Sequence, residues 1–220
     1  MEALRKLHND RKRQLIQKWV KPGSFVLDCG CGRGGDWWKW KAVRARVAAI
    51  DPDAASLTEA EARALDMNFG VWFLGEGDIR QAVASGPYDV VCYNFSLHYI
   101  FENSQTLHES LEAIGRSVKP GGLLMGITPE RARAELLTNG AMFKDDLGNT
   151  LEIRDDRLWV SLTDGPFYAD GPKSEPLLNA DVLIEELSQR GFQCLAWEPM
   201  LTTPNWRVSD LYSSFVFRKN

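Results

Sequence analysis

Between Ser24 and Asp36 the chain reads Ser-Phe-Val-Leu-Asp-Cys-Gly-Cys-Gly-Arg-Gly-Gly-Asp, an apolar run that breaks into a glycine-rich turn with a carboxylate on each side. No other segment restricts the fold as much. Glycines spaced as Gly30-x-Gly32-x-x-Gly35, after a strand-like run and ahead of a helix-like one, mark the first turn of a parallel α/β unit, where bare backbone approaches a ligand at a helix N-terminus. Spacing alone fits a dinucleotide site. Asp28 and Asp36 oppose that reading, because two anions beside a bound pyrophosphate repel it, whereas a cationic ligand is drawn to them. A nicotinamide oxidoreductase is therefore disfavoured.

The rest of the chain keeps the α/β rhythm. Apolar residues at 4, 7, 15, 16, 19 and 20 among charges predict an amphipathic helix from Leu4 to Val20, closed by Lys21-Pro22-Gly23. Strand 24–29, the glycine turn, a helix through Trp37-Trp-Lys-Trp-Lys-Ala, strand 47–51 and a helix opened by the capping box Ser56-x-x-Glu59 follow. Strands are predicted at 71–74 and 88–95, a second box Thr106-x-x-Glu109 opens a helix, and Lys119-Pro-Gly-Gly122 turns into strand 123–128. Residues 129–176 interrupt the alternation with short strand-like pieces and turn candidates at 145–149 and 155–157, so they read as an inserted lobe. Helix 180–190, strand 192–197 and strand 213–217 complete the pattern. It predicts a single α/β domain over 1–220, a doubly wound, mostly parallel seven-stranded sheet with a small lobe at 129–176.

Charge is uneven. The total is −4, yet residues 1–46 hold 12 Lys and Arg against 4 Asp and Glu, a balance of +8, and the remainder carries 14 against 26, a balance of −12. An RNA phosphate chain and an ordinary solvated helix both fit such a basic end. Trp37, Trp38 and Trp40 fit packing on the sheet better than stacking on bases. Arg33, Lys39, Lys41 and Arg44 either reach a phosphate chain or solubilise their helix. The four cysteines lack CxxC spacing and there are three histidines, so buried free thiols and no metal site are expected. No apolar run approaches the ~20 residues of a membrane span. The N-terminus has no apolar signal core, which predicts an intracellular protein.

Open α/β sheets bind ligands beyond the carboxyl ends of their strands. Those ends carry Asp28 to Gly32, Asp51, Asp78, Asn94 to Tyr99, and Thr128-Pro129-Glu130. Asp51 lies about 20 residues past the turn, where a carboxylate bridges ribose hydroxyls. Asp78 is placed to accept from an adenine amino group. A rim of carboxylates suits S-adenosylmethionine, which carries no phosphate and whose sulfonium and ammonium are positive.

With these residues placed, the chain resembles the mRNA cap guanine-N7 methyltransferases of eukaryotes and large DNA viruses, members of the class I S-adenosylmethionine-dependent methyltransferases. The likeness runs through Leu7-His-Asn-Asp-Arg-Lys12-x-x-Leu-Ile16, Val26 to Asp36, and Tyr88-Asp-Val-Val-x-x-Asn-Phe-Ser-Leu-His-Tyr-x-Phe-Glu102. It continues in Lys119-Pro-Gly-Gly-x-x-x-Gly-x-Thr-Pro129, Ser174-Glu-Pro and Leu211-Tyr-x-x-Phe-x-Phe-Arg-Lys219. The family usually has Gln at Asn94 and Lys at Arg33. The resemblance implies donor contacts from Asn9, Lys12, Asp28, Gly30 and Gly32. It adds Asp36, Asp51, Asp78, Asn94 and Tyr99 to that set. Cap contacts fall to His98, Tyr99, Pro129, Glu175 and Tyr212, with Arg33 near the triphosphate.

The implied reaction transfers a methyl to N7 of a GpppN cap. N7 has a lone pair and no proton, so in-line attack needs neither general base nor metal, and Glu175, His98, Tyr99 and Tyr212 would position the guanine. A methyltransferase for tRNA or a small molecule, and a non-catalytic cap-binding subunit, are the alternatives. Other capping domains or subunits are possible partners. A viral origin, with action in a host cytoplasmic factory or the nucleus, is a modest preference.

Overall fold

The computed structural model describes residues 2–81, 86–163 and 171–220, with side chains from residue 5 onward, so Leu4 of the helical pattern and residues 164–170 of the lobe lie outside the described side chains. The elements are α1 (Glu2–Trp19), β1 (Phe25–Cys29), α2 (Trp37–Ala42), β2 (Arg46–Asp51), α3 (Ala54–Asp66), β3 (Val71–Glu76) and β4 (Tyr88–Asn94). A 3-10 turn (Leu97–Glu102) leads to α4 (Ser104–Ser117), β5 (Val118–Pro129) and α5 (Arg131–Thr138). Then come β6 (Phe143–Lys144), β7 (Thr150–Arg154), β8 (Arg157–Ser161), β9 (Lys173–Pro176), α6 (Ala180–Gln189), β10 (Phe192–Pro199), a second 3-10 turn (Val208–Leu211) and β11 (Tyr212–Lys219).

Seven strands form one sheet in the order β10-β11-β5-β4-β1-β2-β3. β3, β2, β1, β4 and β5 run parallel, and β11 is antiparallel to both β5 and β10. Helices cover both faces, which is why the inner strands are apolar throughout rather than alternating. Successive residues of β1 point to opposite faces. Leu27 joins Tyr93, Leu111 and Phe215 on one side, and Val26 joins Ile16, Trp37 and Trp40 on the other. Strand order reverses between β1 and β4, so the crevice opens at the ends of those two strands.

A second sheet, β6-β7-β8-β9, is antiparallel. The Asp155-Asp156 turn joins β7 to β8 with φ of +49° and +60°, the paired left-handed conformation of a two-residue hairpin. Leu151, Leu158 and Val160 of this sheet pack with Ala134 and Leu137 of α5 and with Leu211 and Tyr212. That seat carries β9 against the 3-10 turn after β4.

Four local expectations are corrected. Asp53, not Ser56, caps α3, accepting from the amides of Ala55 and Ser56. Asn103, not Thr106, caps α4. Asx residues accept from N2 and N3 amides as well as Ser or Thr do, so the helices begin earlier than the capping boxes predict. The Lys119–Gly122 turn is an excursion within β5, since Tyr88 pairs with Val118 and Val90 with Leu123. Finally, α5 stands in a stretch expected to hold only short strands.

Helix α1 is held by polar as well as apolar contacts. His8 Nε2 lies 2.9 Å from Ser209 Oγ, and burial, then the Lys12 charge, lowers the imidazole to about 4. An unfolded chain takes up this proton below the ordinary value of 6.5 while the native chain does not, so His8 withdraws stability as the pH falls from 6.5 to 4. The expected slope from this group is about 1.4 kcal/mol per pH unit. The urea midpoint of wild type should therefore fall relative to that of His8→Phe as the pH drops from about 7.5 to about 4.5. A constant gap would contradict a neutral His8.

Candidate active site

The glycine turn leaves β1 at the reversal point. Gly30 has φ +73°, and a Cβ there would stand 2.5 Å from Ser96 Cβ. Side chains are thus excluded twice, by backbone conformation and by the close approach of the segment after β4. The amides of Gly30 and Cys31 donate to Ile50 O at 2.8 and 3.1 Å. Asp51 completes the tie, its Oδ2 accepting from Gly32 N at 2.7 Å and its Oδ1 from Asp53 N at 3.0 Å.

Asp28 and Asp36 are both buried, behind the turn rather than in the cavity wall. Trp40 Nε1 donates to Asp28 Oδ2 at 2.8 Å. Burial, then the neighbouring Asp36, pushes the Asp28 carboxyl up. Burial acts the same way on Asp36, but Lys12 and Lys39 outweigh it and hold that carboxyl down. Their ammonium groups sit 2.6 and 2.5 Å from Asp36 Oδ1, and Asn94 Nδ2 donates to Oδ2 at 3.0 Å. Lys39 also donates to Asn9 Oδ1 at 2.8 Å. It is sealed under Trp38, whose ring centroid is 4.4 Å from Nζ. Lys39 therefore neither reaches a phosphate chain nor solubilises its helix, which corrects both expectations for this residue. Trp37 and Trp40 are buried in the core.

Asp78 is clasped by Arg80, with Nε 3.0 Å from Oδ1 and Nη2 2.7 Å from Oδ2. The side-chain hydrogen bonds of Arg80 overcome burial and lower the Asp78 carboxyl. Ser96 donates to Cys29 O at 2.6 Å.

A cavity of about 650 Å³ runs from this turn to the lobe. At one end Gly30, Gly32, Asp51 and Asp78 line it, and at the other His98, Tyr99, Pro129, Glu175 and Tyr212. His98 comes from the 3-10 turn and Glu175 from β9, yet His98 Nε2 is 3.2 Å from Glu175 Oε2. That approach is out of line for a hydrogen bond, so both ring nitrogens of the buried imidazole lack a donor or acceptor among the described residues. Burial, then the Glu175 charge, pushes the phenols of Tyr99 and Tyr212 up, so both stay protonated. Arg33 points elsewhere, to Glu59 at 3.2 Å on the surface. The four cysteines are free thiols, and no group of three potential metal ligands occurs among the described residues. No described helix is long and apolar enough to cross a membrane.

Phe95 and Arg80 are among the cavity-lining residues to which the sequence reading gave no role of their own. Phe95 lines the cavity with φ +67°, and Arg80 lines it beside Asp78. An aromatic residue gives no sequence signal of a left-handed backbone, and Arg80 reads as any surface arginine.

A seven-stranded sheet of this order, with a glycine turn after β1 and a ligand-sized cavity at the reversal point, is the class I methyltransferase fold. An S-adenosylmethionine-dependent methyltransferase from Clostridium acetobutylicum superposes with a TM-score of 0.72 at 16% identity, covering 98% of this chain and 92% of that one. Residues 1–152 match the mRNA (guanine-N(7))-methyltransferase domain, and the chain belongs to that family. The mRNA cap guanine-N(7) methyltransferase of Saccharomyces cerevisiae is 35% identical over 141 residues, 58% of this chain and 32% of the yeast protein. The Eremothecium gossypii protein of the same name is 34% identical over 141 residues, 58% of this chain and 33% of its own length. The chain thus spans about a third of the length of these curated relatives. Glu175 and Tyr212 fall outside the matched residues.

Proposed function

We propose that this protein transfers a methyl group from S-adenosylmethionine to guanine N7 of a GpppN-capped RNA. The observation that carries the reading is the one cavity joining the glycine turn to the His98, Tyr99, Glu175 and Tyr212 cluster. The donor supplies a methyl activated on a sulfonium. The residues present fit it, since Asn94 Oδ1 is buried beside Asp36 without a hydrogen-bond partner among the described residues and a Cβ at Gly30 would collide with Ser96 at the cavity wall. Asn9, Lys12, Asp28, Asp36 and Asn94 lie outside the cavity lining and would support its amino-acid end from behind the glycine turn. Asp51 would take the ribose and Asp78 the adenine, with Gly30, Gly32 and Tyr99 as walls.

On the acceptor side, the Glu175 carboxylate is matched to guanine N1–H and the 2-amino group. Positive charge appears on the purine during transfer, so a carboxylate fixed there holds the product-like ring more tightly than the neutral substrate. Tyr99, Tyr212 and Pro129 present faces and edges to the ring, and the tyrosine faces favour a cation. N7 has no proton to lose. Holding it in line is the main task, and positioning of this kind supplies as much as about 7–11 kcal/mol in intramolecular models. Other capping activities, carried on partner subunits or domains, would supply the GpppN end.

Methylation should discriminate by the terminal base. GpppRNA is expected to accept a labelled methyl at least about 100-fold faster than ApppRNA, because adenine offers no N1–H and 2-amino pair to Glu175. Equal rates would contradict the assignment. Gly30→Ala is expected to weaken S-adenosylhomocysteine binding at least tenfold by isothermal titration, since the added methyl must displace Ser96. Unchanged binding would place the donor elsewhere.

A further inference from the structure

His8 does not line the cavity, but it lies behind the two aromatic residues that do. Its ring centroid is 5.3 Å from that of Phe95 and 5.4 Å from that of Tyr212, the latter edge-on at 76°. Phe95 and Tyr212 meet each other edge to face at 4.8 Å and 79°. Phe95 is held in a left-handed backbone, φ +67°, by a 2.6 Å hydrogen bond from its amide to Ile127 O. A bulky residue keeps that conformation only when its surroundings fix it. The far side of the imidazole is fixed as well, by Ser209 Oγ at 2.9 Å, three residues before Tyr212. Three rings from α1, the end of β4 and the start of β11 therefore form one closed set.

We propose that His8 is a positioning residue that sets the Phe95–Tyr212 wall from behind, so that docking of helix α1 shapes the guanine end of the cavity. This rests on the capped-RNA reading of that end. The same helix reaches the other end one turn later, where Lys12 contacts Asp36 and its ammonium lies 5.6 Å from the Phe95 ring centroid. His8 acts on the acceptor alone. Removing its ring leaves Tyr212 and Phe95 free to turn but leaves the Lys12–Asp36–Lys39 contacts in place, so a loss confined to the acceptor separates this role from general loosening of α1.

The test measures kcat and KM for GpppRNA together with the Kd of S-adenosylhomocysteine, in wild type, His8→Ala, His8→Phe and Ser209→Ala. For His8→Ala the expected result is a KM raised about tenfold, with kcat and donor Kd within twofold. His8→Phe keeps the ring packing and should return KM to within threefold of wild type. Ser209→Ala removes the anchor and should raise KM about threefold. Should His8→Ala not fold, Ser209→Ala carries the test, and a wild-type KM in that variant overturns the proposal. A His8→Ala KM within twofold of wild type also overturns it, as does an equal loss of donor and acceptor affinity. A wild-type protein inert on GpppRNA overturns the cap reading itself, and the role of His8 with it.

Discussion

Glu175→Ala is expected to lower kcat/KM for GpppRNA methylation about 100- to 1,000-fold, which corresponds to about 3–4 kcal/mol of lost transition-state stabilisation. The size follows from burial. Glu175 is 6% exposed, is paired through β9 with Leu158 of β8, and faces a histidine whose ring nitrogens have no hydrogen-bond partner among the described residues. A charge-assisted pair of hydrogen bonds in such a place is worth more than one at a surface, and it strengthens as the purine becomes cationic. Glu175→Gln keeps the shape but presents a donor to the guanine donors, so it should recover little of the loss. S-adenosylhomocysteine binding should stay within threefold in both variants. A methyltransferase for tRNA or a small molecule predicts no selective loss on capped RNA, and unchanged kcat/KM would favour it.

Asp36→Ala is expected to have the largest effect on stability. It removes the anion shared by Lys12 and Lys39 and leaves Lys39 with Asn9 and a carbonyl as its remaining partners in a fully buried position. Breaking a buried pair by deleting one member costs about 3–5 kcal/mol, because the orphaned charge stays out of water. For a domain of this size that corresponds to a fall in Tm of about 10 °C. Donor binding should fall with it, since Asn94 loses its anchor too. Lys39→Met in the same background removes the stranded charge and should recover part of the Tm. A loss below about 1 kcal/mol in Asp36→Ala would show that the cluster is solvated rather than sealed.

Much of the scaffold could be read from the chain because parallel strands declare themselves. Val26-Leu27, Val47 to Ile50 and Val90-Val91 are continuous apolar runs, and the positions that end them are where the cavity opens. The lobe was less legible. Its strands are two to five residues long and held by one small apolar cluster, so period-2 patterning has little length in which to show. Helix α5 was missed for a related reason, having a basic first turn and no side-chain cap. Several cavity-lining residues stand at strand ends that the chain already marks, but their pairings are not legible there. That Lys39 is buried on Asp36, that Arg80 clasps Asp78, and that His8 backs Tyr212 are tertiary facts joining positions up to 204 apart.

The central claim is that one cavity brings a methyl donor to guanine N7 of a capped RNA. Incubating the protein with methyl-labelled S-adenosylmethionine and GpppRNA, then digesting with nuclease and separating the products, tests it most directly. Label recovered as 7-methylguanosine, absent without the cap guanine, is the predicted result. Label in any other nucleoside, or none in the RNA while the donor binds, would contradict it.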